Sequence, residues 1–416
     1  MSPQANQPHD PSLSRRDFLR SKISLVAGLA LTPHRLTATS PEISAFKKIH
    51  DGIAIKLRRL YQACRIEIDG YHLLRPCDNP AYHGLWHDDF TWPHVGLPEL
   101  QANPEMKDAI RWLGDAMLQL PVVADRIEYD GTAVMSPGAA RAKPLSETMP
   151  IHLPAAWTRL LSHADFAGMA IPRKGEWAEL IRRSFDQVHL SFGLVWNDPQ
   201  RHIVAFGFQD SIRLTGLVLL TSLVIKRGYE RAAALFADDL PAPVIEDWKK
   251  RAAGISSNLH RLFDPKAGGF LGATVAGRAF DVWGNGLAWP LASPGQKAAI
   301  AATFKANRDK IFLKGCTRQI IGPGGWPGTE EAIAYQNGGY WGTGTGFILP
   351  MLAEIDPTWA LALANDLLAN LDSIRCAEWL DENGKGKGAL EFLGTLSMPL
   401  IGLRAILEGK HTLDYL

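Results

Sequence analysis

Five segments of this chain break an apolar helical pattern with one recurring mixture of acids, amides, aromatic rings and glycines. Segment 83–93 holds Trp86, Asp88, Asp89 and Trp92, and segment 206–216 holds Asp210. Segment 281–286 contributes Asp281 and Trp283. Segment 326–342 carries Trp326, Glu330, Glu331, Tyr335, Gln336, Asn337, Tyr340 and Trp341, and the last runs from Glu378 to Glu391. Rings beside carboxylates and amides suit a sugar. Its apolar C–H face stacks on Trp or Tyr, while its hydroxyls need closely placed donors and acceptors. Breaking a glycosidic bond adds a demand for two carboxyl groups, one protonated to release the leaving oxygen and one ionised to activate water or attack. A bulky aromatic neighbour raises a carboxyl pKa by desolvation, which is how such a pair is driven apart.

On this chemistry Asp89 or Asp210 is the expected general acid, and Glu391 or one of Glu330 and Glu331 the expected base. Trp86, Trp92, Trp283, Trp326 and Trp341 are the rings assigned to stacking. Asp88, Glu330, Tyr335, Gln336, Asn337 and Tyr340 are expected to bind hydroxyls. Each has a plainer reading: Asp210 as a helix N-cap, Asp89 as a cap or ion-pair member, Glu391 as a solvated helix end. Two adjacent side chains seldom point inward together, so Asp89 is favoured over Asp88. His83 and His87, spaced i, i+4 beside Asp88, Asp89 and His94, raise a metal site. Gly84 and Pro93 suggest a loop there, so no metal is expected. The run 381–386 fails as a calcium loop because Lys385 occupies an oxygen-donor position. The glycines at 342, 344 and 346 follow an aromatic cluster rather than a strand and lack the lysine of a phosphate loop. No cofactor is expected.

The elements that must position these residues are mostly helical. Periodicity predicts helices near 43–63, 104–120, 153–164, 175–189, 209–227, 229–238 and 243–263, then near 282–292, 295–309, 338–354, 357–375 and 388–408. Strand signals are confined to 66–68, 123–129 and 203–208. About twelve helices without a low-complexity linker suggest six helical hairpins closed into a ring, with one domain spanning 41–416. The charge balance, 44 basic against 43 acidic residues, removes any case for nucleic-acid binding by bulk charge. No C-x-x-C pair exists among Cys64, Cys77, Cys316 and Cys376; Cys64 with Cys77 is the most plausible disulfide, buried thiols the alternative.

Ahead of this domain, Ser14-Arg15-Arg16-Asp17-Phe18-Leu19-Arg20 matches the S-R-R-x-F-L-K pattern of twin-arginine signals, with Arg at the final Lys. The apolar stretch 23–31 is too short to span a bilayer, and Ala38 with Ser40 offers a cleavage site. Residues 1–40 are thus read as a signal peptide. The expected partner is the twin-arginine export machinery, the expected location periplasmic or secreted, and no membrane association is expected after cleavage.

The run Tyr335-Gln336-Asn337-Gly338-Gly339-Tyr340-Trp341 resembles the Y-Q-N-G-G-x-W signature of six-hairpin glycosidase-like proteins. Trp86-His87-Asp88-Asp89-Phe90-Thr91-Trp92 is similar to their W-x-R-D-F-x-Y segment, which places Asp89 at the family's acidic position. Phe208-Gln209-Asp210-Ser211 and the tail Ser397-Met398-Pro399 extend the likeness over roughly residues 45–408. The resemblance implies an all-α (α/α)6 toroid and glycoside hydrolysis of a carbohydrate substrate. One departure concerns charge: the Arg expected before the first acid is Asp88 here. A polysaccharide lyase on the same toroid, with Tyr335 or His87 as base and Arg213 binding a uronate, and a non-catalytic sugar-binding protein are the alternatives.

Overall fold

The structure, a computed structural model, describes residues 39–78, 82–135, 149–201, 203–328 and 334–416. The export segment lies outside the described residues, as do Glu330 and Glu331. The first helix, α1 (Ser40–Cys64), shows how the sequence dictates its elements. Phe46, Ile49, Ile53, Leu57, Leu60, Tyr61 and Cys64 fall on one buried stripe. The Glu42 carboxylate accepts the Thr39 N–H at 2.6 Å and closes the N-terminus.

Twelve more helices follow among the described residues: α2 (His87–Gly96), α3 (Pro104–Met117), α4 (Leu153–Phe166), α5 (Lys174–Asp186), α6 (Leu219–Leu235), α7 (Ala242–Asn258), α8 (Val282–Ala288), α9 (Pro294–Ala306), α10 (Arg308–Ile311), α11 (Gly342–Ile355), α12 (Pro357–Asn370) and α13 (Leu393–Glu408). Every residue of α2 and α8 is buried, and α11 and α13 are buried through most of their length. Helices apolar all round belong inside. Accordingly α2, α4, α6, α8, α11 and α13 each pack on the next, and α13 returns to α2 to close an inner ring. Outer helices cover it: α1 lies on α13, α5 on α4, α7 on α6 and α12 on α11. Six hairpins in a closed ring make the (α/α)6 toroid.

Short antiparallel ladders join the hairpins. Strands β1 (Arg65–Ile68) and β2 (Tyr71–Leu74) pair with Arg65 opposite Leu74. Strands β3 (Gly84–Trp86), β4 (Arg126–Glu128) and β5 (Ala133–Val134) form a three-stranded sheet with Trp86 opposite Arg126. The expected strand at 203–208 is absent; a 3-10 turn at Gly207–Gln209 takes its place.

Three other expectations need correction. Segment 83–93, read as a loop, runs into α2, because the turn signals at Gly84 and Pro93 fall in β3 and late in the helix. The helices expected at 209–227 and 229–238 are one, α6, which begins only at Leu219. Gly228 does not break it but lets it approach α4, since a Cβ there would stand 2.3 Å from the Ala155 Cβ. Cys64 is a buried free thiol, so the Cys64–Cys77 disulfide is not formed.

Candidate functional site

The segments that lead into α2, α6, α11 and α13 gather in one place. There they surround an open cleft of about 570 Å³. Tyr82 and Trp86 reach it from the approach to α2, and His87, Asp88 and Asp89 from the helix's first turn. Asp125 comes from the residue before β4, and Gly207, Phe208 and Asp210 from the loop ahead of α6. Tyr335 and Gln336 precede α11, while Glu378 and Phe392 precede α13. Inward-facing N–H groups at helix N-termini favour anions, which explains why so many carboxylates settle at this end.

The five carboxyl groups do not share one environment. Glu378 is 5% exposed and well partnered: its Oε1 accepts the Tyr335 hydroxyl at 3.0 Å and its Oε2 the Ala389 N–H at 2.8 Å. Burial raises its pKa, against the pull of those donors. Asp210 is the contrast. Burial pushes it up to about 7, the Gln336 side chain and the Ser211 N–H oppose this only in part, and its Oδ1 has no hydrogen-bond partner. Gln336 is fixed in turn, its Oε1 accepting the Ser211 N–H at 2.8 Å and the Ser211 hydroxyl at 2.9 Å.

Asp89 is raised by burial and then by the nearby charges of Asp88, Glu378 and Asp125. Burial also lifts Asp125, to about 6, although Arg126 stands 3.3 Å away. Asp88 goes the other way: burial would raise it, but His87 at 3.0 Å and the buried Arg159 guanidinium together hold it below the usual carboxylate range. Position 88 thus carries an acid paired with an arginine supplied from α4.

Six of the residues expected from sequence meet in the cleft: Trp86, Asp88, Asp89, Asp210, Tyr335 and Gln336. Others stand behind its wall. Trp92, Trp283 and Trp341 are fully buried, and none lines the cleft. Trp92 stacks on Phe208 with centroids 5.0 Å apart, Trp283 donates to Thr317 Oγ1 at 3.0 Å, and Trp341 donates to the Tyr335 carbonyl at 3.2 Å. Trp326, 2% exposed, is likewise buried; Asn337 accepts its N–H at 2.6 Å, and Tyr340 packs under Arg318. These residues brace the site and do not face it. Asp281 caps α8 by accepting the Gly284 N–H at 2.8 Å.

Glu391 corrects the expected base. Its side chain is 46% exposed and lies 3.9 Å from Arg375, because a left-handed turn at Glu391 (φ 55°) aims it outward just before α13. The carboxylate that occupies the cleft from this segment is Glu378, which lay within the segment but was not singled out. Its signal was a charged residue wedged between Ala377 and Trp379, both apolar. Asp125 and Tyr82 were missed outright, and nothing in their local sequence marks them. Arg213, the expected uronate ligand of a lyase, hydrogen-bonds the Pro199 carbonyl and does not line the cleft. Among the described lining residues there is no lysine or arginine.

No family model and no curated protein matches this chain. Solved structures match it in fold. A wild-type glycosidase is 15% identical over 90% of this chain and 100% of its own, with a TM-score of 0.53. The mannosylglycerate hydrolase of Thermus thermophilus, a GH63 protein in complex with Tris, is 14% identical over 84% of this chain and 99% of its own, with a TM-score of 0.54. A bacterial glucoamylase complexed with acarbose is 12% identical over 89% of this chain and 58% of its own, with a TM-score of 0.56. The chain therefore has the six-hairpin glycosidase-like fold.

Proposed function

We propose that the mature chain is a glycoside hydrolase that works outside the cytoplasm, with Asp210 as general acid and Glu378 as base. The observation that carries this reading is the difference in hydrogen bonding between two buried carboxyl groups of one cleft. Asp210 keeps a proton near neutral pH and has an unengaged oxygen in the cleft. Glu378 receives the Tyr335 hydroxyl, the Ala389 N–H and the Tyr82 side chain, donors that favour its ionised form. Two carboxyl groups in one cleft, one with an open oxygen and one held by donors, offer the pair that glycosidic cleavage requires. Asp89, with an oxygen also lacking a partner, would bind sugar hydroxyls, while Trp86, Tyr82 and Phe392 add aromatic lining to the cleft. The fold's glycosidase neighbours support the substrate class, and the twin-arginine segment supports export.

Product analysis on a panel of oligosaccharides tests the reading. A hydrolase generates reducing ends that disappear in Asp210→Asn and Glu378→Gln. Unsaturated ends absorbing in the ultraviolet would indicate a lyase instead, and binding without any product a sugar-binding protein.

A further inference from the structure

Beneath the Asp88 side of the cleft lies a cluster the proposed hydrolysis does not use. His87 and Asp88 are each 3% exposed, and His152, the residue before α4, is fully buried. One potential ligand atom from each, two imidazole nitrogens and a carboxylate oxygen, fall within 4.8 Å of one another. The imidazoles meet edge to face with centroids 5.1 Å apart. Arg159 engages Asp88 Oδ1, while Asp88 Oδ2 and both ring nitrogens of His152 have no hydrogen-bond partner. Leaving such groups bare inside a protein costs about 1–3 kcal/mol each, so they ordinarily have an occupant.

The space for one is visible at Gly207. A Cβ built there would stand 3.4 Å from His152 Nε2 and 4.0 Å from Asp88 Oδ2, ordinary contact distances that mark a void between the two. Two imidazole nitrogens and one carboxylate oxygen converge here. A cation satisfies all three at once. We propose that His87, Asp88 and His152 form a site for a single divalent transition-metal ion of the zinc class, with its remaining coordination open toward the cleft. Two imidazoles and one carboxylate are the donors such ions prefer. Arg159 serves as the outer partner that orients the ligating carboxylate. The set differs from the one weighed from sequence. His83 is exposed and His94 points away, bonded to Tyr61 and the Phe90 carbonyl. The third ligand stands at the start of α4, 65 positions further along the chain than His87.

The test is a titration of the purified full chain, stripped of metal by chelator, with Zn²⁺ by calorimetry and with Co²⁺ by visible absorption. The expected result is one ion per chain, with Co²⁺ bands of an imidazole-containing site of low coordination number. His152→Ala removes a ligand and Gly207→Ala fills the void; each should weaken Zn²⁺ binding by at least about tenfold. Circular dichroism of the metal-free variants should match the parent. Gly207 has no left-handed backbone requirement, so its alanine variant carries the test if His152→Ala fails to fold. Absence of stoichiometric binding by the parent overturns the proposal, as does undiminished binding by Gly207→Ala.

Discussion

The Tyr335 hydroxyl donates to Glu378 Oε1 at 3.0 Å, and thereby links the Tyr-Gln-Asn-Gly-Gly loop before α11 to the carboxylate before α13. Removing it by Tyr335→Phe takes one donor from Glu378 and raises the pKa of that carboxylate. A base works only when ionised, so the acid limb of the kcat/KM profile should move to higher pH. The rate at its optimum should fall about tenfold with KM nearly constant. A pH–rate series on both proteins measures this, and an unmoved acid limb would take the base role from Glu378.

Asp210 sets the other limb. A general acid must be protonated, so turnover should decline as pH rises through about 7, and Asp210→Asn should lower kcat by about two to four orders of magnitude.

The same residue has a consequence for stability. Its folded pKa lies above the ordinary 3.8, so the folded state holds the proton more tightly and stability is lost as pH rises from about 4 to about 7. Asp210→Asn, which has no proton to lose, should therefore melt higher than the parent at pH 8, with the gap closing toward pH 4. Melting curves across that range are the check; a variant that melts lower at pH 8 would refute the burial penalty.

Asp88 and Arg159 form a buried ion pair, with side chains 5% and 2% exposed. Asp88→Asn strands the guanidinium among aromatic rings and should destabilise the fold by about 3–5 kcal/mol. Asp88→Asn combined with Arg159→Met should recover much of that loss, as read from denaturant midpoints of the parent and the two variants.

Export is tested separately. Arg15→Lys with Arg16→Lys should retain the protein in the cytoplasm, as judged by cell fractionation; normal export of the double variant would rule out the twin-arginine route.

The ring was legible in the sequence wherever a helix presents a stripe. For α1 the apolar spacing predicted both the element and its buried side. It was illegible at α2, which carries Asp88, Asp89, His87 and His94 inward and so lacks the periodicity of a surface helix. The site followed the same division. Asp89, Asp210, Tyr335 and Gln336 sit in runs dense with aromatic rings and stood out. Asp125 reaches the cleft only because β4 pairs with β3, a register that local composition does not encode. Glu391 misled for a backbone reason. It sits one short turn from a buried helix, yet its positive φ turns the side chain outward, so Glu391→Gln should leave turnover unchanged.

Closure of the ring by α13 against α2 has a bearing on when the protein becomes active. The two helices that meet there lie roughly 300 residues apart in the chain, a pairing of high contact order. Glu378 and Phe392 reach the cleft only on the segment that α13 anchors. A chain still emerging from the ribosome can stack its early hairpins, yet it holds Asp89 and Asp210 without the carboxylate opposite them. Completion of the last hairpin is then the event that assembles the cleft, so a truncated or stalled chain presents a half-walled groove with no paired acid and base.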